Sequence, residues 1–419
     1  MTAPAIAQAD VAGTLEALAK FTERAPGVTR LVYGKAWCDA HRWLQGEARR
    51  LGIEATPDAA GNLYFHPPGV PPGADHAALL IGSHVDTVIE GGAYDGAYGV
   101  VCGLLAAAEL AGQTALPVVG FVTCEEDEAR FGARMMGSRA LLGQALTGEL
   151  DRVKDAEGVT WRAALDEARA AGCAAPPEPG DKIVTPRYKI VREIEPHIEQ
   201  GPTLEAEGCA IGIVEHIAGF QRLRAVVTGE ARHAGTTPTK LRHDALAAAA
   251  EMILAAETLA KESDDAARVT AGNVRVGPGL YNVVPGTCEV WMEVRHTLPS
   301  SLEGLANELD KRCRAIANKR GVRVAIDSPS QQPPTRLSGE LAERATSLAR
   351  EMGLKHKRMP SGAGHDTMLI AQSGVPCLMV FVPSKGGISH SPAEHTSPGE
   401  LWDGYRFTRE LARKLAEKA

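Results

Sequence analysis

The chain has little that would tie it to a membrane, a nucleic acid or an oxidising compartment. Aromatic residues make up only 5% of it, and no stretch approaches the roughly 18 consecutive apolar residues that a bilayer span needs. Basic residues are not in excess. Against 52 Asp and Glu stand 45 Lys and Arg, and a net charge of −7 gives no support to a nucleic-acid or anionic-membrane partner. The eight cysteines (Cys38, Cys102, Cys124, Cys173, Cys209, Cys288, Cys313 and Cys377) form no C-x-x-C pair, a scatter expected of reduced thiols rather than of a disulfide framework. The first ten residues lack the basic stretch and long apolar run of a signal peptide. A cytoplasmic protein is expected.

What is present is a long chain of ordinary globular composition. At 419 residues it exceeds what one compact core usually holds, so two domains are expected. A helical pattern over 10–51, with Leu15, Leu18 and Phe21 at three-residue spacing, leads into strands at 63–66, 77–83 and 117–124, with a helix at 98–112 between the last two. That alternation predicts an α/β fold, a doubly wound mixed sheet. The charged, Ala-rich stretch 146–192, broken by Pro176, Pro177 and Pro179, reads as helices and loops over the sheet with no assigned job. From about 211 the pattern changes to strand 219–229, helix 243–261, strands 267–276 and 288–295, helix 301–320 and strand 323–327. This β-α-β-β-α-β order is that of a small ferredoxin-like sandwich. A linker-like run at 328–334 follows, and helix–strand alternation resumes from 339. The expected organisation is a discontinuous catalytic domain, 1–213 and 330–419, with a second domain, 214–329, inserted into it.

Chemistry concentrates in three segments at predicted strand ends or loops. Gly82-Ser83-His84-Val85-Asp86-Thr87 follows an apolar run, Tyr94-Asp95-Gly96 opens a helix, and Cys124-Glu125-Glu126-Asp127 closes another strand. Ligands of open α/β sheets gather outside the carboxyl ends of the strands. A histidine, an isolated aspartate and a glutamate pair are what a two-metal hydrolytic site requires. Each residue also has an ordinary structural role open to it: a core histidine at His84, a helix cap at Asp95, a solvated loop end at Glu125 and Glu126. Asp86 tips His84 toward ligation, because a ligating imidazole commonly gives its other N–H to a carboxylate. His197, in a P-H-I-E-Q-G-P run, and His390, in G-I-S-H-S-P, complete the set. Arg295 ends a strand and is suited to clamping a carboxylate bidentately, while Asn282 reads locally as a turn residue and His233 as a loop residue able to hold an oxyanion.

The combination G-S-H-V-D-T (82–87), Y-D-G-A-Y-G-V (94–100), C-E-E (124–126), P-H-I-E-Q-G-P (196–202), R-H-A-G-T-T-P (232–238), N-V-V-P-G (282–286), G-A-G-H-D (362–366) and G-I-S-H-S-P (387–392) resembles the hydantoinase/carbamoylase family of di-zinc amidases. The resemblance implies that His84, Asp95, Glu126, His197 and His390 hold two divalent metal ions (Zn²⁺, or Mn²⁺ or Co²⁺), with Asp95 bridging and Glu125 the general base. It makes Gln200, His233, Asn282, Arg295, Gly364 and His365 substrate contacts, His233 and Asn282 reaching the partner subunit's site in a homodimer built through the inserted lid. Asp86 and Asp366 become supporting acids. The family usually reads E-E-G-x-R-F, whereas this chain reads Glu125-Glu126-Asp127-Glu128-Ala129-Arg130-Phe131. Counting back from Arg130-Phe131 instead makes Glu126 the base and Asp127 the ligand; strand register favours Glu125 and Glu126. The implied reaction is cleavage of the carbamoyl C–N bond of a ureido acid: an N-carbamoyl amino acid, ureidopropionate, allantoate or ureidoglycolate. An aminoacylase or dipeptidase of the same di-zinc clan is the alternative.

Overall fold

In the computed structural model, residues 4–73, 75–177, 180, 183 and 188–417 are described, and they divide into two compact units. The first comprises Met1–Glu215, Leu337–Met359 and His365–Ala419; the second, His216–Arg336 and Pro360–Gly364. The second unit is thus an insertion in the first.

A mixed nine-stranded sheet dominates the first unit. Its order begins Glu54–Pro57, Leu63–His66, Val118–Thr123, Ala77–His84, Lys189–Ile198, Cys377–Val382, Ile211–Ile217. The four strands from Val118–Thr123 to Cys377–Val382 run parallel, and those flanking them are antiparallel. Ala77–His84, Val118–Thr123 and Cys377–Val382 are buried almost throughout, the continuous apolar reading expected of parallel strands covered on both faces. Helix Ala97–Glu109 packs on this parallel core and is itself buried on all sides except at Glu109. It lies close because Gly99 and Gly103 face the strands: a Cβ on Gly103 would sit 2.1 Å from the Ile81 carbonyl oxygen, and one on Gly99 2.4 Å from that of Pro196. Helix Pro398–Ala416 packs beside it, opened by a capping box between Ser397 and Glu400.

Two expected elements differ. The pattern over 10–51 is two helices, Gln8–Leu18 and Lys35–Arg50, parted by Pro26, which has no N–H to continue a helix, and by Gly27, whose φ is +78°. The stretch 146–192 contributes helices Thr147–Arg152 and Trp161–Ala170 and the start of strand Lys189–Ile198, while Pro179 lies outside the described residues.

The second unit is an antiparallel sheet in the order Arg323–Gln332, Gly219–Thr228, Thr287–His296, Arg268–Gly277, with helices Ala245–Glu262 and Pro299–Arg320 packed on it. This is the expected β-α-β-β-α-β sandwich. Strand Thr287–His296 alternates cleanly, burying Cys288, Val290, Met292 and Val294 against a separate apolar core. The expected linker at 328–334 is largely strand. A register shift between Asp327 and Ser330 absorbs Pro329, and pairing with Arg222, Gln221 and Phe220 resumes beyond it.

Candidate metal centre

The parallel strands of the first unit deliver their carboxyl ends to one place. His84 is the last residue of Ala77–His84, Glu125 to Asp127 follow Val118–Thr123, His197 is next to last in Lys189–Ile198, and His390 lies in the loop after Cys377–Val382. Asp95 precedes the helix Ala97–Glu109. Its neighbour Gly96 has a φ of +61°, and a Cβ there would lie 2.5 Å from the His84 ring. Only glycine lets this loop approach the imidazole.

Asp95 is the hub. Its Oδ1 lies 3.1 Å from His197 Nε2 and 3.7 Å from His84 Nε2, and its Oδ2 lies 3.1 Å from His390 Nε2. His84 Nε2 is also 3.5 Å from Glu126 Oε2, and His390 Nε2 is 3.6 Å from Asp127 Oδ1. The carboxylate therefore has two poles: His84 and His197 gather at Oδ1, and His390, with Asp127 beside it, at Oδ2. His84, Asp95 and His197 have ligand atoms within 4.8 Å of one another.

The imidazoles are oriented for ligation. His84 Nδ1 is 2.9 Å from the Asp86 carbonyl oxygen and His197 Nδ1 is 2.8 Å from that of Ile198. A carbonyl only accepts, so each Nδ1 carries a proton and each ring turns its Nε2 toward Asp95, where His197 Nε2 also lies 3.1 Å from Gly96 N–H. Lone pairs facing carboxylate oxygens at these distances repel unless a proton or a cation lies between them. The main-chain carbonyl of Asp86, not its carboxylate, fixes the His84 tautomer. The Asp86 carboxylate instead accepts from Asp127 N–H at 3.2 Å, and its buried Oδ1 has no hydrogen-bond partner among the described residues.

The local charge is strongly negative. Burial opposes charging His84, yet Glu126, Asp127, Asp86 and Asp95 outweigh it and hold the imidazole well above its ordinary range. Burial also acts to raise Asp95, but hydrogen bonds to His197 and His390 prevail and hold its carboxyl well below the usual carboxylate range. Burial and then the Asp95 charge push Asp127 up to about 7. His390 rises to about 9, chiefly through its bond to Asp95. Such a cluster of acids around three imidazoles fits the N and O donors of a divalent metal site.

Glu125 lies apart from this convergence. Its φ is +56°, and its Oε1 accepts from the backbone N–H groups of Phe131 (2.6 Å) and Gly132 (3.1 Å). Burial, then the charge of Asp86, raises it to about 8. Left-handed φ values recur at Gln200 (+57°) and His390 (+53°), a strained conformation for residues with side chains that clusters at functional sites.

The remaining expected residues fall in three settings. Gln200 donates to Asp95 Oδ2 at 2.8 Å, while its buried Oε1 has no partner among the described residues. His365 is 1% exposed and packs edge-on to His197, ring centroids 4.7 Å apart, and Phe381 packs against both rings. Asp366, expected to orient or cap, accepts from the hydroxyls of Thr123 and Ser138 rather than from helix N–H groups. In the second unit, His233 pairs with Val283 on a two-stranded ribbon and Asn282 precedes that strand, its carbonyl accepting from Ala234 N–H. His233 Nδ1 accepts from Gly235 and Thr236 N–H, which leaves the proton on Nε2 as an exposed donor. Arg295 pairs with Glu293 at 2.6 Å and donates to the Gly362 carbonyl at 2.9 Å, two residues from Gly364. Glu394, which the motifs did not single out, is 6% exposed and bonded to the Asp95 loop. Its only local signal is its place four residues after His390.

Residues 80–414 match peptidase family M20/M25/M40. The chain belongs to that family. Members of this metal-dependent family similar to the chain include the allantoate amidohydrolase of Bacillus subtilis (strain 168), 35% identical over 408 residues and 96% of each chain. The N-carbamoyl-L-amino-acid amidohydrolase of Paenarthrobacter aurescens is 35% identical over 403 residues, 95% of each. A hydantoinase/carbamoylase family amidase from Burkholderia ambifaria has a solved structure that superimposes with a TM-score of 0.85 at 32% identity, covering 98% of both chains. The chain is accordingly a family M20/M25/M40 hydrolase of the hydantoinase/carbamoylase amidase group. Among its described residues no helix is long and apolar enough to cross a membrane.

Proposed function

We propose that the chain is a two-metal amidohydrolase that cleaves the carbamoyl C–N bond of a ureido acid. The observation that carries this reading is the two-pole arrangement at Asp95, with His84 and His197 at one oxygen and His390, itself beside Asp127, at the other. The metals are Zn²⁺, Mn²⁺ or Co²⁺, and when bound they supply Lewis acidity and a water of lowered pKa. We assign Asp127 as the second-pole ligand and Glu126 as the general base, in place of the Glu126 and Glu125 favoured by strand register. Support comes from Asp127 facing His390 while Glu125 is committed to Phe131 and Gly132.

Glu126 takes a proton from the attacking water and returns it to the departing nitrogen. His233 holds the oxyanion through Nε2–H, and Arg295 receives the substrate carboxylate. The Gln200 amide, with its nitrogen given to Asp95, offers Oε1 to a carbamoyl N–H. Asn282 and Gly364 line the substrate, and His365 supports the His197 ring from behind. The overall change is R–NH–CO–NH₂ plus water to R–NH₂, carbon dioxide and ammonia. Cysteines that are all buried and free fit a reducing cytoplasm. The inserted unit serves as lid and homodimer contact, and the small-molecule substrate is N-carbamoyl amino acid, ureidopropionate, allantoate or ureidoglycolate.

The deciding experiment is ammonia and amine release by the purified protein loaded with Zn²⁺ or Mn²⁺, across those ureido acids, N-acyl amino acids and dipeptides. Ammonia from a ureido acid is expected. Amine without ammonia from an acyl or peptidyl compound would overturn the proposal in favour of the aminoacylase or dipeptidase alternative.

A further inference from the structure

Glu394 is a buried acid that neither faces the proposed substrate nor stands among the proposed metal ligands. It sits in a turn closed by its own N–H on the Ser391 carbonyl at 3.0 Å. Its Oε1 accepts from the backbone N–H groups of Tyr94 (2.8 Å) and Asp95 (3.1 Å). Its Oε2 lies 2.9 Å from Ser389 Oγ, and the same hydroxyl lies 2.9 Å from Asp95 Oδ2. Ser389 has one hydroxyl proton for two carboxylates. If that proton goes to Glu394, the Asp95 oxygen facing His390 keeps its lone pair for a cation. If it goes to Asp95, it competes with one. The fold also reserves space for the carboxylate: a Cβ on Gly92 would fall 2.0 Å from Glu394 Oε1.

We propose that Glu394 is a positioning residue for the metal centre, holding the Asp95 and His390 loops in register and drawing the Ser389 proton away from Asp95. The inference rests on the two-metal reading above. Glutamine at 394 keeps the size and one carbonyl oxygen for the Tyr94 and Asp95 N–H groups, but presents an NH₂ group to Ser389. The serine proton then turns onto Asp95. Supporting groups of this kind change metal affinity by about 10–100-fold.

The test is Zn²⁺ affinity of the full-length metal-free protein, measured by competition with a chromogenic chelator, together with the melting temperature of the metal-free form. Glu394→Gln should weaken Zn²⁺ binding by about 10–100-fold and leave metal-free melting unchanged. In a Ser389→Ala background the same substitution should have little further effect, because the misdirected proton is gone. Gly92→Ala, which displaces the carboxylate without removing it, should reproduce the loss. Unchanged Zn²⁺ affinity in Glu394→Gln would overturn the inference. So would an equal effect in both backgrounds, or a fall in metal-free melting that tracks the affinity loss. Wild-type protein that binds no Zn²⁺ would instead sink the two-metal reading itself.

Discussion

Glu125, Glu126 and Asp127 are consecutive acids with different surroundings, and that difference predicts different variants. Glu126 lies beside His84, so Glu126→Gln should lower kcat by about 10²–10⁴-fold, the usual worth of a positioned base, with bound metal retained in elemental analysis. Asp127→Asn should lose metal stoichiometry. Glu125→Gln should mainly lower stability, because its carboxylate serves the turn at Phe131 and Gly132. A Glu125 variant that kept its melting temperature and lost all turnover would reverse the assignment. A second residue, His41, sets a pH dependence. Its ring stacks on Trp37 at 3.6 Å, both buried nitrogens have no partner among the described residues, and burial, aided by the nearby Arg30 charge, lowers it to about 3. Between pH 6.5 and 3 the unfolded chain binds a proton that the folded ring refuses, so this residue's effect is to lower stability as the pH falls. At about 1.4 kcal/mol per pH unit, the loss reaches about 2 kcal/mol by pH 5. Denaturant midpoints should therefore fall more steeply from pH 7 to 5 in wild type than in His41→Phe. Buried Asp58, raised to about 6, acts in the opposite sense, but it is common to both proteins and cancels.

At the scale of elements, the site depends on how closely the helix Ala97–Glu109 lies on the sheet, because Asp95 enters from its amino end. Gly103→Ala would place a methyl 2.1 Å from the Ile81 carbonyl, against backbone that cannot yield cheaply. An overpacking cost of about 1–3 kcal/mol is expected, and moving this helix should also weaken metal binding; calorimetry and chelator competition measure the two. A melting temperature at or above wild type would show that the helix can shift freely. Elements of this kind were legible in the sequence for a simple reason. Buried parallel strands are continuous apolar runs, and the polar residues at their carboxyl ends stand out against them, as His84 does after Leu79-Leu80-Ile81. The sandwich order of the inserted unit was legible in the same way from alternation. What the motifs did not carry was direction. Glu125 and Glu126 are equivalent as letters, yet Glu125, at a left-handed φ, turns to the Phe131 and Gly132 N–H groups while Glu126 lies beside His84. Glu394 serves a loop about 300 positions away, a pairing that no local period encodes. The break at 19–34 and the strand through Pro329 depend on a left-handed glycine at 27 and a register shift, which helical and linker patterns hide.

For the molecule as a whole, the proposed chemistry is divided between two units. The two-pole cluster belongs entirely to the first, whereas His233, Asn282 and Arg295 belong to the insertion. Arg295→Ala should therefore raise KM without changing metal content, and a lowered metal content would tell against this division. The proposed homodimer makes a sharper prediction. If His233 serves the partner subunit's site, a dimer of one Glu126→Gln chain and one His233→Ala chain regains one intact site, built from the Glu126 of one chain and the His233 of the other. Random pairing of equal amounts then restores about a quarter of wild-type activity from two inactive proteins, since half the dimers are mixed and each carries one good site. If His233 serves its own chain, every site in the mixture lacks one of the two groups and no activity returns. Co-expression with two different affinity tags isolates the mixed dimer, so the assay reads it directly; a mixed dimer as inactive as its parents would exclude a shared site.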